Sequence, residues 1–243
     1  MSLYPDMSGS LFLSWSGGKD CCLALYRSTK KQWPIRRLLT SVSEVHDRVS
    51  MHGVRSSLLK AQAASLGLPL DIVPLPDSPG MTPYETAMNA AYAELKQQGF
   101  DGAVFGDIFL EDLRTYREEQ LAKQGLQCHF PIWQQDSRSL VKEFIEAGFK
   151  AVVVCVNGGF LDQSFCGRLI DEDFINDLPP GVDPCGENGE YHSFVYDGPL
   201  FSAPVQFSQG EITCREYPAP RDKNETCFTA PRPAARFYFQ DLL

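Results

Sequence analysis

A chain of 243 residues with 43% hydrophobic and 22% charged side chains fits one large domain or two small ones, and excludes wholesale disorder or a fibrous repeat. Thirty-one acidic residues against 22 basic ones give a net charge of −9 with no basic run, so unassisted binding to long nucleic acid is not expected. The longest apolar runs, such as Ala151 to Val156, fall far short of the ~20 residues that cross a bilayer. Met1 to Ser10 lacks the basic and apolar regions of a signal peptide, so the expectation is a cytoplasmic protein without membrane contact. The eight cysteines contain no Cys-x-x-Cys pair, which points to reduced packing thiols rather than zinc ligands or a redox dithiol.

In chain order, Leu11 to Trp15 reads as a strand running into Gly17-Gly18, with a helix through Cys21 to Tyr26. Ile35 to Val42 predicts a second strand, Gly53 to Leu66 a helix closed by Gly67, and Leu70 to Leu75 a third strand. Tyr84 to Gln98 predicts a helix opened by Thr82 as N-cap and Pro83 at the first helical position. A short strand at Ala103 to Phe105 ends at Gly106, and a helix follows over Leu110 to Gln124. Beyond these, Leu140 to Ala147 reads as a helix, Ala151 to Val156 as a buried strand and Phe237 to Gln240 as a last strand. This alternation predicts an α/β fold with a parallel, Rossmann-like sheet and its ligand site at the carboxyl ends of the strands. The expected division is an ATP-binding domain over 8–127 and a smaller α/β or α+β domain over 128–243, with a mobile stretch near 218–233.

Ser16-Gly17-Gly18-Lys19-Asp20 follows a strand and opens a helix. Two glycines let the backbone approach an anion, helix amides and dipole face it, Lys19 adds a full charge and Ser16 a hydroxyl. Asp20 could hold magnesium or order the loop. The pattern is neither a Walker A loop nor a Gly-x-Gly-x-x-Gly turn. Asp107 follows a predicted strand and reads as a metal ligand or a helix cap. Arg114 and Glu118 share one helix face, as functional groups or as an i,i+4 pair. Glu187 and Glu190 lie in a glycine-rich segment, as binding groups or as solvated turn carboxylates. His52 and His192 could act on phosphate or be ordinary loop histidines, while Trp133, Tyr191 and Phe194 could line a pocket or belong to the core.

The Ser-Gly-Gly-Lys-Asp loop resembles the pyrophosphate loop of the N-type ATP pyrophosphatases. Gly106, Arg114 and Glu118 in GDIFLEDLRTYREE, Ile132-Trp133, Phe165-x-Gly167-Arg168, Cys185 to Tyr191 and Asp197 to Phe201 together resemble the diphthine ammonia ligase family. That resemblance implies an ATP-dependent ligase that adenylates a carboxylate, releases AMP and pyrophosphate, and transfers ammonia, with ATP and Mg2+ as cofactors. It implies Lys19, Glu187, Glu190 and Arg114 as catalytic groups. Ser16, Gly17, Gly18, Lys19, Asp20, Cys21, Gly106 and His52 would bind the nucleotide, and Asp20 and Asp107 the metal. Three departures stand out: Cys21 where the family has Ser, His192 where it has an acid, and Arg48 to Gly53, which resembles a bacterial-type branch. They imply an acceptor carboxylate, small or protein-borne, other than diphthine. Two further readings stay open: an ATP- or AMP-binding regulatory module with little turnover, and an RNA-thiolating enzyme of the same superfamily, which the absent Cys-x-x-Cys pairs disfavour. Association as a homodimer is expected only from how often such enzymes pair.

Overall fold

The computed structural model describes residues 9–49, 52–76, 80–217 and 235–243. The expected mobile stretch near 218–233 lies outside the described residues. The chain begins with β1 (Ser10–Ser14), α1 (Lys19–Lys30), β2 (Ile35–Ser43), β3 (Arg48–Val49), α2 (Ser56–Leu66) and β4 (Leu70–Leu75). It continues with α3 (Met81–Gln97), β5 (Phe100–Val104), α4 (Glu111–Ala122) and β6 (Gln127–His129). Parallel pairings run β4 to β2 to β1 to β5 to β6, and β3 adds an antiparallel edge on β2. The remaining elements are α5 (Ser137–Glu146), β7 (Lys150–Asn157), α6 (Glu172–Asp177), β8 (Tyr191–Asp197), β9 (Gln209–Tyr217) and β10 (Ala235–Leu242). Their four strands form a separate antiparallel sheet in the order β8-β7-β10-β9.

Burial on both faces explains why β1 reads as an unbroken apolar run. Phe12 points to one face, against Tyr92 of α3 and Phe100 of β5 at ring distances of 5.9 and 6.1 Å. Leu11 and Leu13 point to the other, into a core that runs through α1 and α2 to Val152, Val153 and Phe194 of the second sheet. Each such side chain removed from water contributes about 1.5–3 kcal/mol, so the two sheets share one apolar interior. Gly67 ends α2 in the left-handed region at φ 67°, and Leu68 N–H returns to the Ala63 carbonyl.

Two local expectations change. The helix expected from Gly53 starts at Ser56, because Gly53 takes a positive φ of 70° and its amide closes a turn on the Val49 carbonyl. Thr82 is not an N-cap: α3 starts at Met81 after an extended Gly80, and the Thr82 carbonyl accepts the Thr86 hydroxyl. Proline fits anywhere in a first turn, where its missing N–H has no partner to lose, so Pro83 does not mark the first residue.

Candidate functional site

The carboxyl end of β1 delivers Ser16 to Lys19 at the start of α1, where the second sheet closes over the loop. Gly17 has φ 81°, and a Cβ there would sit 2.6 Å from Leu59 and 2.7 Å from Gln62, so conformation and space both require glycine. Gln62, fully buried on α2, accepts from Trp15 Nε1 at 3.0 Å and donates to the carbonyls of Gly17 at 3.0 Å and Val195 at 2.5 Å. Val195 N–H donates to the Gly17 carbonyl, and the Lys19 amide donates to Ser193 Oγ at 3.1 Å. The loop is therefore framed from both sheets. Cys21 donates its thiol to the Gly18 carbonyl at 3.1 Å and lies 3.6 Å from Ser16 Oγ. Burial pushes that thiol up, so Cys21 is a packing group inside the loop. Gly106 explains itself sterically: a Cβ would meet backbone atoms of Asp20 and Cys21 at 2.7 and 2.8 Å.

Lys19 is buried at 3% exposure; its ammonium donates to both Asp20 oxygens, at 2.9 and 2.8 Å, and to the Cys185 carbonyl. Burial is the largest single influence and works against its charge, but Asp20 together with Tyr191 and Cys185 outweighs it, so the ammonium holds its proton more firmly than in free lysine. Burial raises the Asp20 carboxyl in turn, with Lys19 opposing. Glu187 accepts the Ile108 amide at 2.8 Å. Burial pushes its carboxyl up to about 7, with Asp20 and Asp107 adding repulsion and the Ile108 amide and Lys19 opposing. A carboxyl that titrates near neutrality beside a fixed ammonium suits proton transfer.

Other expected groups hold different positions. Glu190, 1% exposed, accepts from the Asp183 amide at 3.0 Å and from the Asn188 amide and side chain at 2.9 and 3.1 Å. It ties its own loop together rather than facing solvent. Asp107 takes Arg117 in two contacts, at 2.5 and 3.2 Å. Arg114 pairs with Glu118 at 2.8 Å and stacks over Trp133 and Phe130 at 4.8 and 5.1 Å, the i,i+4 arrangement its spacing allowed. Tyr191 and Phe194 are core residues, with Tyr191 Oη donating to the Pro184 carbonyl. His52 and His192 stack at 4.3 Å between ring centroids. A cleft of about 1270 Å³ opens between the strand ends and β9–β10, lined by residues including Ser41, Ser43, Arg48, Tyr84, Arg117 and Phe239.

Sequence comparison matches residues 10–128 to the diphthamide synthase N-terminal domain and 136–217 to the diphthamide synthase C-terminal domain. The chain belongs to the diphthamide synthase family. The human diphthine–ammonia ligase is 30% identical over 123 residues, covering 48% of this chain and 46% of that protein. The ligase of Danio rerio is 31% identical over 110 residues, 43% of each chain. The chain thus spans about half the length of the curated relatives it matches. Among solved structures, a U34-tRNA thiolase from Methanococcus maripaludis aligns over 58% of each chain at 16% identity with a TM-score of 0.37, too distant to bear on activity.

Gln62, Ser193 and Arg117 were not among the residues singled out from the sequence. Gln62 left a signal: it sits at helical spacing with Leu58, Leu59 and Leu66, a polar residue on an otherwise apolar face. Arg117 left none that separated it from Arg114. Among the described residues, no three His, Cys, Asp or Glu side chains gather to hold a metal ion. Asp20 has both oxygens on the Lys19 ammonium, at 2.9 and 2.8 Å, so it could take Mg2+ carried in on phosphates only by releasing Lys19. Asp107 has both oxygens on Arg117. No helix among the described residues is long and apolar enough to cross a membrane.

Proposed function

We propose that this chain is an ATP-dependent amide-forming ligase. An acceptor carboxylate attacks the α-phosphate of ATP, pyrophosphate leaves into the Ser16 to Lys19 loop, and ammonia then displaces AMP from the activated acyl group. The observation that carries the reading is the meeting of the loop with the Cys185 to Ser193 segment, where the Lys19 ammonium touches the Cys185 carbonyl and the Lys19 amide touches Ser193. A phosphate-type loop and a carboxyl poised near 7 are thereby held at one place.

Within this reading the loop amides and Lys19 receive the departing charge as preorganised donors. Glu187, as carboxylate, takes a proton from ammonium to free the attacking lone pair. Asp20 would hold Mg2+, whose contribution is to neutralise phosphate oxygens. Gly106 lets β5 abut the start of α1 so that the loop keeps its shape. Glu190 shapes the segment that presents Glu187, and Arg114 braces α4 against Trp133. The cleft of about 1270 Å³ is lined by neither the Ser16 to Lys19 loop nor the Cys185 to Ser193 segment, so it is a place for an acceptor beside the loop rather than the phosphate site itself. His192, in place of an acid, favours an acceptor other than diphthine.

The test is product analysis: ATP, Mg2+ and ammonium with and without a cell extract, comparing the intact protein with Lys19→Ala. AMP and pyrophosphate that need extract and vanish in the variant support the ligase. ATP binding without AMP under any supplement favours the regulatory module, which the engagement of Lys19 by Asp20 also suits. RNA thiolation is the weakest reading, because Cys21, Cys22 and Cys185 are buried thiols with raised pKa values.

A further inference from the structure

We propose that His52 and His192 form a paired-imidazole receptor for the anion held at the Ser16 to Lys19 loop, and that the pair takes up a proton from solvent as the anion enters. This rests on the loop being a polyphosphate site and adds to it two side chains from outside the loop. The rings lie 4.3 Å apart with planes 31° from parallel, close enough for either to feel the other's charge. His52 Nε2 would lie 3.5 Å from a Cβ placed on Gly18, so that nitrogen faces the turn where the backbone meets an anion. His192 comes from β8, on the strand face opposite Tyr191 and Ser193, which themselves meet Lys19, and joins the site through its ring contact with His52. Two segments 140 positions apart thus bring imidazoles to one side of the loop.

The surroundings of His192 favour its neutral form. Burial acts first, and the charges acting on it are His52, from the segment after β3, and Lys19, from α1; all three lower its proton affinity well below that of ordinary histidine. Cys155 of β7 is its cross-strand partner. Glu190, two positions before His192, is committed to its own loop, and Asp241 of β10 to Arg48 and Arg55. A pyrophosphate or triphosphate brings several negative charges to the place where these cations meet. It reverses the electrostatic balance, so one ring accepts a proton and donates a charge-assisted hydrogen bond. A cationic ligand would gain nothing from the pair.

The experiment is isothermal titration of the intact protein with inorganic pyrophosphate, and separately with Mg-ATP, near pH 7.5 in buffers of different ionisation enthalpy. The expected result is uptake approaching about one proton per anion bound. The double variant His52→Gln with His192→Gln should lose that uptake, and each single variant should weaken binding by about 10-fold to 100-fold. Binding without proton uptake by the intact protein, a result that needs no variant to fold, overturns the proposal, as does uptake that persists in the double variant. If Lys19→Ala loses binding while both histidine variants bind like the intact protein, the loop reading stands and the receptor falls. Failure of the intact protein to bind either anion overturns both.

Discussion

Replacing Glu187 with glutamine should stabilise the protein at alkaline pH while removing the group we propose takes the ammonium proton. Burial has moved this carboxyl from its ordinary 4.5 to about 7. The folded form therefore holds a proton that the unfolded chain releases more readily. The stability this confers is full below about pH 4.5, falls as pH rises to about 7, and is level above that. The whole shift corresponds to about 3 kcal/mol, and solvent reaching the partly exposed side chain reduces it to about 1–2 kcal/mol. Glutamine keeps an oxygen for the Ile108 amide, so the hydrogen bond survives and only the charge is lost. Urea unfolding of both proteins from about pH 5 to pH 8 isolates the effect, because other titrations cancel in the difference. The variant should lie within about 0.5 kcal/mol of the wild type near pH 5 and exceed it by about 1–2 kcal/mol near pH 8. A difference that does not change with pH, or a wild type more stable at pH 8, refutes the reasoning.

Gly106→Ala sets a Cβ against backbone atoms of Asp20 and Cys21 at 2.7 and 2.8 Å, and should cost about 1–3 kcal/mol, read as a lower melting temperature. Glu190→Ala leaves the Asp183 and Asn188 amides without their acceptor, so stability should fall by about 1–3 kcal/mol and proteolysis should begin between 183 and 190. Asp107→Ala strands the Arg117 guanidinium and should destabilise by about 3 kcal/mol in a denaturant melt, whereas Arg114→Ala, at an exposed pair, should cost under about 1 kcal/mol.

Legibility from sequence followed the strength of each local signal. Leu70–Leu75 was readable to the residue, since Gly67 and the prolines bracket it and its apolar run has no competing helical period. The loop was readable because a strand, two glycines and a helix start coincide within nine positions. β8 was hidden: Asn188 and Gly189 precede it, and Phe194 and Val195 are both buried, which breaks the alternation that reveals a strand. The antiparallel character of the second sheet was equally hidden, because β9 is almost wholly exposed and carries little apolar pattern. At the site, the resemblance and the i,i+4 spacing to Glu118 point to Arg114, whereas only the fold shows that Arg117, three positions on, reaches Asp107. Glu190 reads as a binding group or a solvated turn carboxylate because nothing in a linear string shows that its own loop supplies three donors.

The frame around the loop has a consequence for the order of assembly. Gly17 and Lys19 take partners at Val195 and Ser193, more than 170 positions downstream. During synthesis the motif emerges early, yet it stays unfinished until β8 has left the ribosome and docked. Closing so long a loop is entropically slow, so the site is among the last parts of the molecule to form. A nascent chain halted before residue 190 would carry the whole Ser-Gly-Gly-Lys-Asp signature without the partners that hold it in shape.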